Sequence, residues 1–75
     1  MKEKSELAIK IGVGVRRLRL EKKRSQEDFA DDCGIARAYM GNIERGEKVI
    51  SVDMAKRVVT GLGLTLSQFF AEIGE

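Results

Sequence analysis

Apolar residues recur along this chain at intervals of three and four, the spacing that gathers side chains on one face of a helix. Leu7, Ile11, Val15 and Leu18 begin the pattern behind Ser5, a residue suited to N-capping, and predict an amphipathic helix over about 6–23. Gly12 and Gly14 interrupt it. Each costs roughly 1 kcal/mol relative to alanine in a helix interior, so the first turns are expected either to fray or to pack closely against another element.

Ser25 offers a hydroxyl to a second helix over 26–33, with Glu27 and Asp28 placed against the positive end of its dipole. Phe29, Ala30 and Cys33 make its inner face, and Gly34 stands where the chain must turn through a left-handed cap. A third helix over 37–45 follows, with Ile35 and Met40 spaced as a hydrophobic staple. On a helical wheel Ala36, Met40 and Ile43 point one way, while Arg37, Ala38, Gly41, Asn42 and Arg45 point the other. That outer face is polar yet carries two very small side chains, so another surface could approach it closely.

Ser51 caps a fourth helix over 52–61, with Asp53 in its first turn and Val52, Ala55, Val58, Val59 and Leu62 as apolar positions. Gly61 and Gly63 loosen and end it. Thr65 and Gln68 have the spacing of a capping box and open a fifth helix over 66–73, whose apolar residues are Leu66, Phe69, Phe70 and Ile73. The fold class expected is all-α, with positions 1–75 forming a single domain.

Composition narrows the chemistry. Seventy-five residues sit near the lower limit for a core without disulfides or metal, which makes help from a second subunit plausible. The chain has no histidine and one cysteine, so no ordinary zinc or iron site and no internal disulfide can be assembled. Without a histidine to activate it, Cys33 reads as a small core residue rather than a nucleophile. Glu27, Asp28, Asp31 and Asp32 could be imagined as an acidic metal site, but they serve the helix dipole and a solvated face more simply. Residues 1–15 lack the apolar run of a signal peptide, and the longest apolar stretch, from Val58 to Leu66, is broken by Thr60, Gly61 and Gly63. A cytoplasmic protein with no membrane contact, no cofactor and no small-molecule ligand is expected. The net charge of +2 decides nothing, whereas Arg16, Arg17, Arg19, Lys22, Lys23 and Arg24 crowd into nine positions. Such a run is either a solvated helix face or part of an anion-binding surface.

Two short helices joined by Gly34, the first opened by Ser25-Gln26 and the second closed by Ile43-Glu44-Arg45-Gly46, resemble the Cro/C1-type helix-turn-helix family of phage Cro and repressor proteins. The likeness runs from about Ile11 to Phe70 and includes Leu18-Arg19, the stretch from Ser25 to Ala30, Gly34-Ile35, Tyr39-Met40 and Leu64 to Phe70. It implies a five-helix, lambda-repressor-like fold whose second and third helices bind duplex DNA, the third lying in the major groove. Arg37, Ala38 and Asn42 would face base edges, with Gly41 between them against the groove. Arg37 would bind guanine, Asn42 adenine or backbone, and Ala38 a thymine methyl. Gln26, Tyr39, Arg45 and Lys48 would touch phosphates. Arg19 and Glu44 match a buried ion pair joining the first helix to the end of the recognition helix.

Two departures stand out. Ala36 occupies the position where the family usually has a capping serine or threonine, and Val49-Ile50 replaces a polar residue followed by proline. Ile50 before Ser51, the compact length and the Phe69-Phe70 pair look most like the controller proteins of restriction-modification systems. The resemblance thus implies a non-enzymatic transcriptional regulator that binds a palindromic operator as a homodimer, with Leu66, Phe69, Phe70 and Ile73 expected at the interface. An activator would also touch RNA polymerase, through a surface the sequence does not mark. A different reading, an antitoxin-like protein-interaction module, predicts an extension for its partner, and few residues lie outside the matched region.

Overall fold

Four of the five helices start at a short polar side chain that closes the first turn. The computed structural model describes residues 5–75, so the first four positions of the expected 1–75 domain lie outside the described residues. Those described form α1 (Glu6–Glu21), α2 (Gln26–Cys33), α3 (Arg37–Glu44), α4 (Val52–Gly61) and α5 (Leu66–Glu72), with no strand among them. The hydroxyls of Ser5, Ser25 and Ser51 accept from the backbone N–H groups of Ala8, Asp28 and Met54 at 3.0–3.2 Å. Thr65 and Gln68 cap α5 reciprocally: Thr65 Oγ1 accepts from Gln68 N and Gln68 Oε1 accepts from Thr65 N. Each such bond satisfies an amide that the helix itself leaves orphaned, a contribution of about 1 kcal/mol. Ala36, before α3, makes no side-chain cap.

Gly34 ends α2 at φ 70°, the left-handed geometry that lets Ile35 N reach back to Ala30 O. The first helix stops at Glu21, two residues earlier than the sequence pattern suggests. Lys23 takes up a left-handed φ of 58° there, and Arg24 N closes onto Arg19 O.

Helix α1 packs on α3, α2 lies against α3 and α4, and α4 meets α5. Val15, Phe29, Met40, Ile43, Val58 and Phe69 are the largest of the fully buried side chains in the core they enclose. The buried face of α1 departs from the expected one at its first turn. Val15 is buried and Ile11 and Leu18 pack against the core, but Leu7 is 44% exposed, and Ala8, Gly12, Gly14 and Arg19 are buried as well. The glycines widen that face by close approach: a Cβ on Gly12 would overlap the carbonyl oxygen of Ile43 and come within 2.7 Å of that of Glu44. The backbones of α1 and α3 therefore meet where a larger residue would hold them apart. Gly14 in the same way leaves room for Ile73. Both positions remain helical, held by close packing rather than frayed.

Val52 is a second correction. It was expected inside but is 74% exposed, because the first turn of α4 overhangs the core and burial becomes complete only at Val58 and Val59. No helix of the described residues is long and apolar enough to cross a membrane.

Candidate nucleic-acid interface

The turn at Gly34 sets α3 across α2 and leaves one side of α3 open. Arg37 and Ala38 are exposed in its first turn, and Asn42 is half-buried one turn later. Met40 and Ile43 on the opposite side are fully enclosed. Gly41 does not lie open, as the wheel suggested, but is buried. Its cover is a side chain from the next turn: a Cβ on Gly41 would meet Arg45 Nη1 at 3.0 Å and Gln26 Oε1 at 3.5 Å. The missing side chain at Gly41 lets the long Arg45 lie flat along the helix. Arg45 then donates from Nη2 to Asn42 Oδ1 at 2.7 Å and from Nε to Glu47 Oε1 at 2.6 Å. Glu47 was not among the residues singled out from the sequence. An acid two positions after an arginine, across a glycine, is too common a pattern to mark it.

The other side chains expected to meet phosphate surround this face unequally. Lys48 Nζ sits 5.9 Å from the Tyr39 ring centroid, a cation-π distance, and Tyr39 is half-buried against the core. Gln26, first residue of α2, donates from Nε2 to Glu44 Oε1 at 3.2 Å, so part of its amide is turned inward.

Glu44 fixes the far end of α3. Its carboxylate accepts from Arg19 Nε at 2.7 Å and Nη2 at 2.9 Å, and Arg19 Nη1 donates to Arg24 O at 2.9 Å. The two side chains are only 8% and 3% exposed. A bidentate fork of this kind, with every buried polar atom partnered among the described residues, is the arrangement in which a buried charge pair is tolerated. The hydrogen bonds from Arg19 to Glu44 hold the guanidinium above its ordinary pKa, against the opposing effect of burial. One carboxylate thus joins α1, the start of α2 and the end of α3.

The basic run is divided by ion pairs. Arg17 bonds Glu21 and Glu72, Arg19 bonds Glu44, and Arg24 bonds Asp32 through both carboxylate oxygens, while Arg16, Lys22 and Lys23 are exposed. Among the described residues no three acidic or cysteine side chains converge on a metal-sized site. Burial, aided by Asp32, pushes the Cys33 thiol up to about 11, which leaves it protonated and unreactive at neutral pH.

The four residues expected at a subunit interface separate. Phe69 is 1% exposed, a core residue, with Phe70 edge-on to it at 5.9 Å between ring centroids. It leaves the interface set because the small residues of α1 let α5 settle deep against the core. Ile73 packs toward Gly14 on the α1 side. Leu66 and Phe70 instead border a small apolar crevice with Ile11 and Ile50, and Ile11 and Ile50 also line a neighbouring hollow with Leu7 and with Val49, which is 82% exposed.

The helix-turn-helix family matches residues 15–69, from the middle of α1 into α5. Control protein C.MunI of Mycoplasma sp is 36% identical over 70 residues, 92% of this chain and 95% of that protein. Control protein C.BamHI of Bacillus amyloliquefaciens is 34% identical over 61 residues, 80% of this chain and 75% of its own. The restriction-modification controller protein C.Esp1396I, solved as a tetramer in complex with its natural 35 base-pair operator, superposes with a TM-score of 0.84 at 29% identity over 95% of this chain and 99% of that one. The match thus extends across the turn, the recognition helix and the helices that brace it, and the chain belongs to the helix-turn-helix family, alongside the restriction-modification control proteins.

Proposed function

We propose that the chain is a sequence-specific double-stranded DNA-binding transcriptional regulator. It acts in the cytoplasm as a homodimer on a palindromic operator, with α3 of each copy in the major groove and no catalysis or cofactor of its own. The observation that carries this reading is the build of α3. Its exposed side has a long charged donor, Arg37, beside a methyl, Ala38, while its C-terminal end is bolted to the core by a buried ion pair. A rigid helix with short side chains beside one long donor suits a groove about 12 Å wide. Operator binding by C.Esp1396I supports it.

In this assignment Arg37 binds guanine through O6 and N7, Ala38 touches a thymine methyl and Asn42 reaches a base edge, while Gly41 lies beneath the Arg45 side chain rather than against the groove. Gln26, Tyr39 and Lys48 take phosphates at the rim, with Arg45 at the end of α3. Two copies join through Leu66 and Phe70 and the apolar crevice beside them, which places two recognition helices about 34 Å apart on one face of the duplex. RNA polymerase is the further partner if the bound dimer activates.

Selection of bound sequences from random duplex DNA, repeated at two salt concentrations, tests the proposal. The expected product is a two-fold palindrome whose binding weakens steeply with salt and falls by roughly 5- to 150-fold on Arg37→Ala, with relaxed choice at one base. Enrichment of no sequence, with equal binding to every duplex, would overturn it.

A further inference from the structure

The side chain at the end of the recognition helix acts on the reading face without pointing at it. Arg45 follows α3, crosses buried Gly41, and donates to Asn42 Oδ1, while Glu47 holds the same guanidinium from the other side through Nε. An asparagine amide presents one acceptor and one donor group and reads adenine by using both, accepting from N6 and donating to N7. Here the acceptor oxygen is turned along the helix toward Arg45, whereas Nδ2 carries no hydrogen bond to any described residue. Turning the amide over would set Nδ2 against the Arg45 guanidinium, donor facing donor, so Asn42 keeps this orientation while Arg45 stays in place.

We infer that Arg45, steadied by Glu47 and admitted by Gly41, is a positioning residue that orients the Asn42 amide with its donor outward, so that this position reads a base acceptor alone and loses the two-bond pairing that singles out adenine. The inference rests on the regulator reading above and goes beyond it. It gives Arg45 a role in specificity in place of a simple phosphate contact, and it gives Glu47, an acid beside a DNA-binding surface, a reason to be there. Without Glu47 the guanidinium would be drawn toward the phosphates. Gly41 matters because a methyl at that position would press on Nη1 at 3.0 Å and shift the arginine.

Duplex selection on the wild-type chain and on Asn42→Ala, Arg45→Ala, Glu47→Gln and Gly41→Ala tests this. The base whose preference disappears in Asn42→Ala is the one Asn42 reads. In the wild type adenine is expected to hold no advantage there over guanine or thymine, because N7 of either purine, O6 of guanine and O4 of thymine all accept from the one outward donor. In Arg45→Ala the preference is expected to move toward adenine, and Glu47→Gln and Gly41→Ala are expected to shift it the same way by smaller factors. Gly41→Ala is the most telling variant, since alanine favours helix, and a purely structural role would leave base choice unchanged. Adenine preferred by the wild type, or an Arg45→Ala chain that weakens uniformly on all sequences with its base choice intact, overturns the inference while leaving the regulator reading in place. If the wild type enriches no operator, it is the regulator reading that fails. The latch can then be judged without DNA, by nuclear magnetic resonance of the Arg45 Nε–H group: slow solvent exchange that speeds up in Glu47→Gln supports it, and fast exchange in the wild type overturns it.

Discussion

The two ends of α3 are built on opposite plans. At its C-terminal end, Glu44 is enclosed and bonded to Arg19 and Gln26, with the backbone of α1 pressed against it at Gly12. At its N-terminal end Ala36 provides no cap, and Arg37 and Ala38 stand in solvent. A helix eight residues long has too few internal hydrogen bonds to be stable alone, so tertiary contacts must hold it. The difference shows that a buried face and one firmly fixed end hold the helix while its first turn stays open. The open end is then left with unbonded backbone donors and exposed side chains, the groups that a negatively charged, hydrogen-bonding partner would satisfy.

The strongest way to break this contrast is Glu44→Ala. It strands the Arg19 guanidinium in a buried site and is expected to remove about 3–5 kcal/mol, a large share of what a domain of this size possesses. A chemical denaturation curve should show the chain largely unfolded at 37 °C, and a melting temperature within a few degrees of wild type would mean that the anchor is not where stability resides. Gly12→Ala comes next. In a free helix alanine would be favoured, but here its methyl meets two carbonyl oxygens of α3, and a net loss of about 1–3 kcal/mol is expected. A stabilised Gly12→Ala would show that the two backbones are not truly in contact.

Ala36→Ser sharpens the contrast from the other end. It supplies the missing cap, is expected to stabilise by about 1 kcal/mol, and should raise the melting temperature by roughly 4–8 °C. No gain would indicate that the first turn already has other partners. Arg17→Ala should have the smallest effect. Arg17 lies two residues from Arg19 and also pairs with carboxylates, but its pairs to Glu21 and Glu72 are open to solvent. Screened pairs of this kind contribute little, and no measurable change in melting temperature is expected. A fall comparable to that of Glu44→Ala would erase the distinction between the buried and exposed pairs.

What could be read from the sequence follows this same division between local and distant causes. The caps at Ser5, Ser25, Ser51 and Thr65–Gln68 and the turn at Gly34 lie where residue chemistry predicts them, since each acts within about four positions of its own backbone. The sidedness of α3 was also legible in Met40 and Ile43 against Arg37 and Ala38, because both sets are spaced by the helical turn. Arg19 and Glu44 lie 25 positions apart, and only their resemblance to a known pattern paired them in advance.

Most of the misplaced residues depend on how closely two helices approach. Leu7 is open and Gly12 enclosed because of the small gap between α1 and α3, and Phe69 is core while Leu66 and Phe70 border a crevice because of where α5 settles. Gly41 is covered by an arginine from its own helix, which hydrophobicity could not indicate, since neither residue is apolar in the usual sense. The sequence by itself determined where the helices begin and turn, through capping hydrogen bonds and backbone preferences that act over a few residues. The tertiary structure decided how closely the helices approach, and with it that Leu7 stays open while Gly12 and Phe69 are enclosed, because those burials depend on distances between helix axes that no local pattern contains.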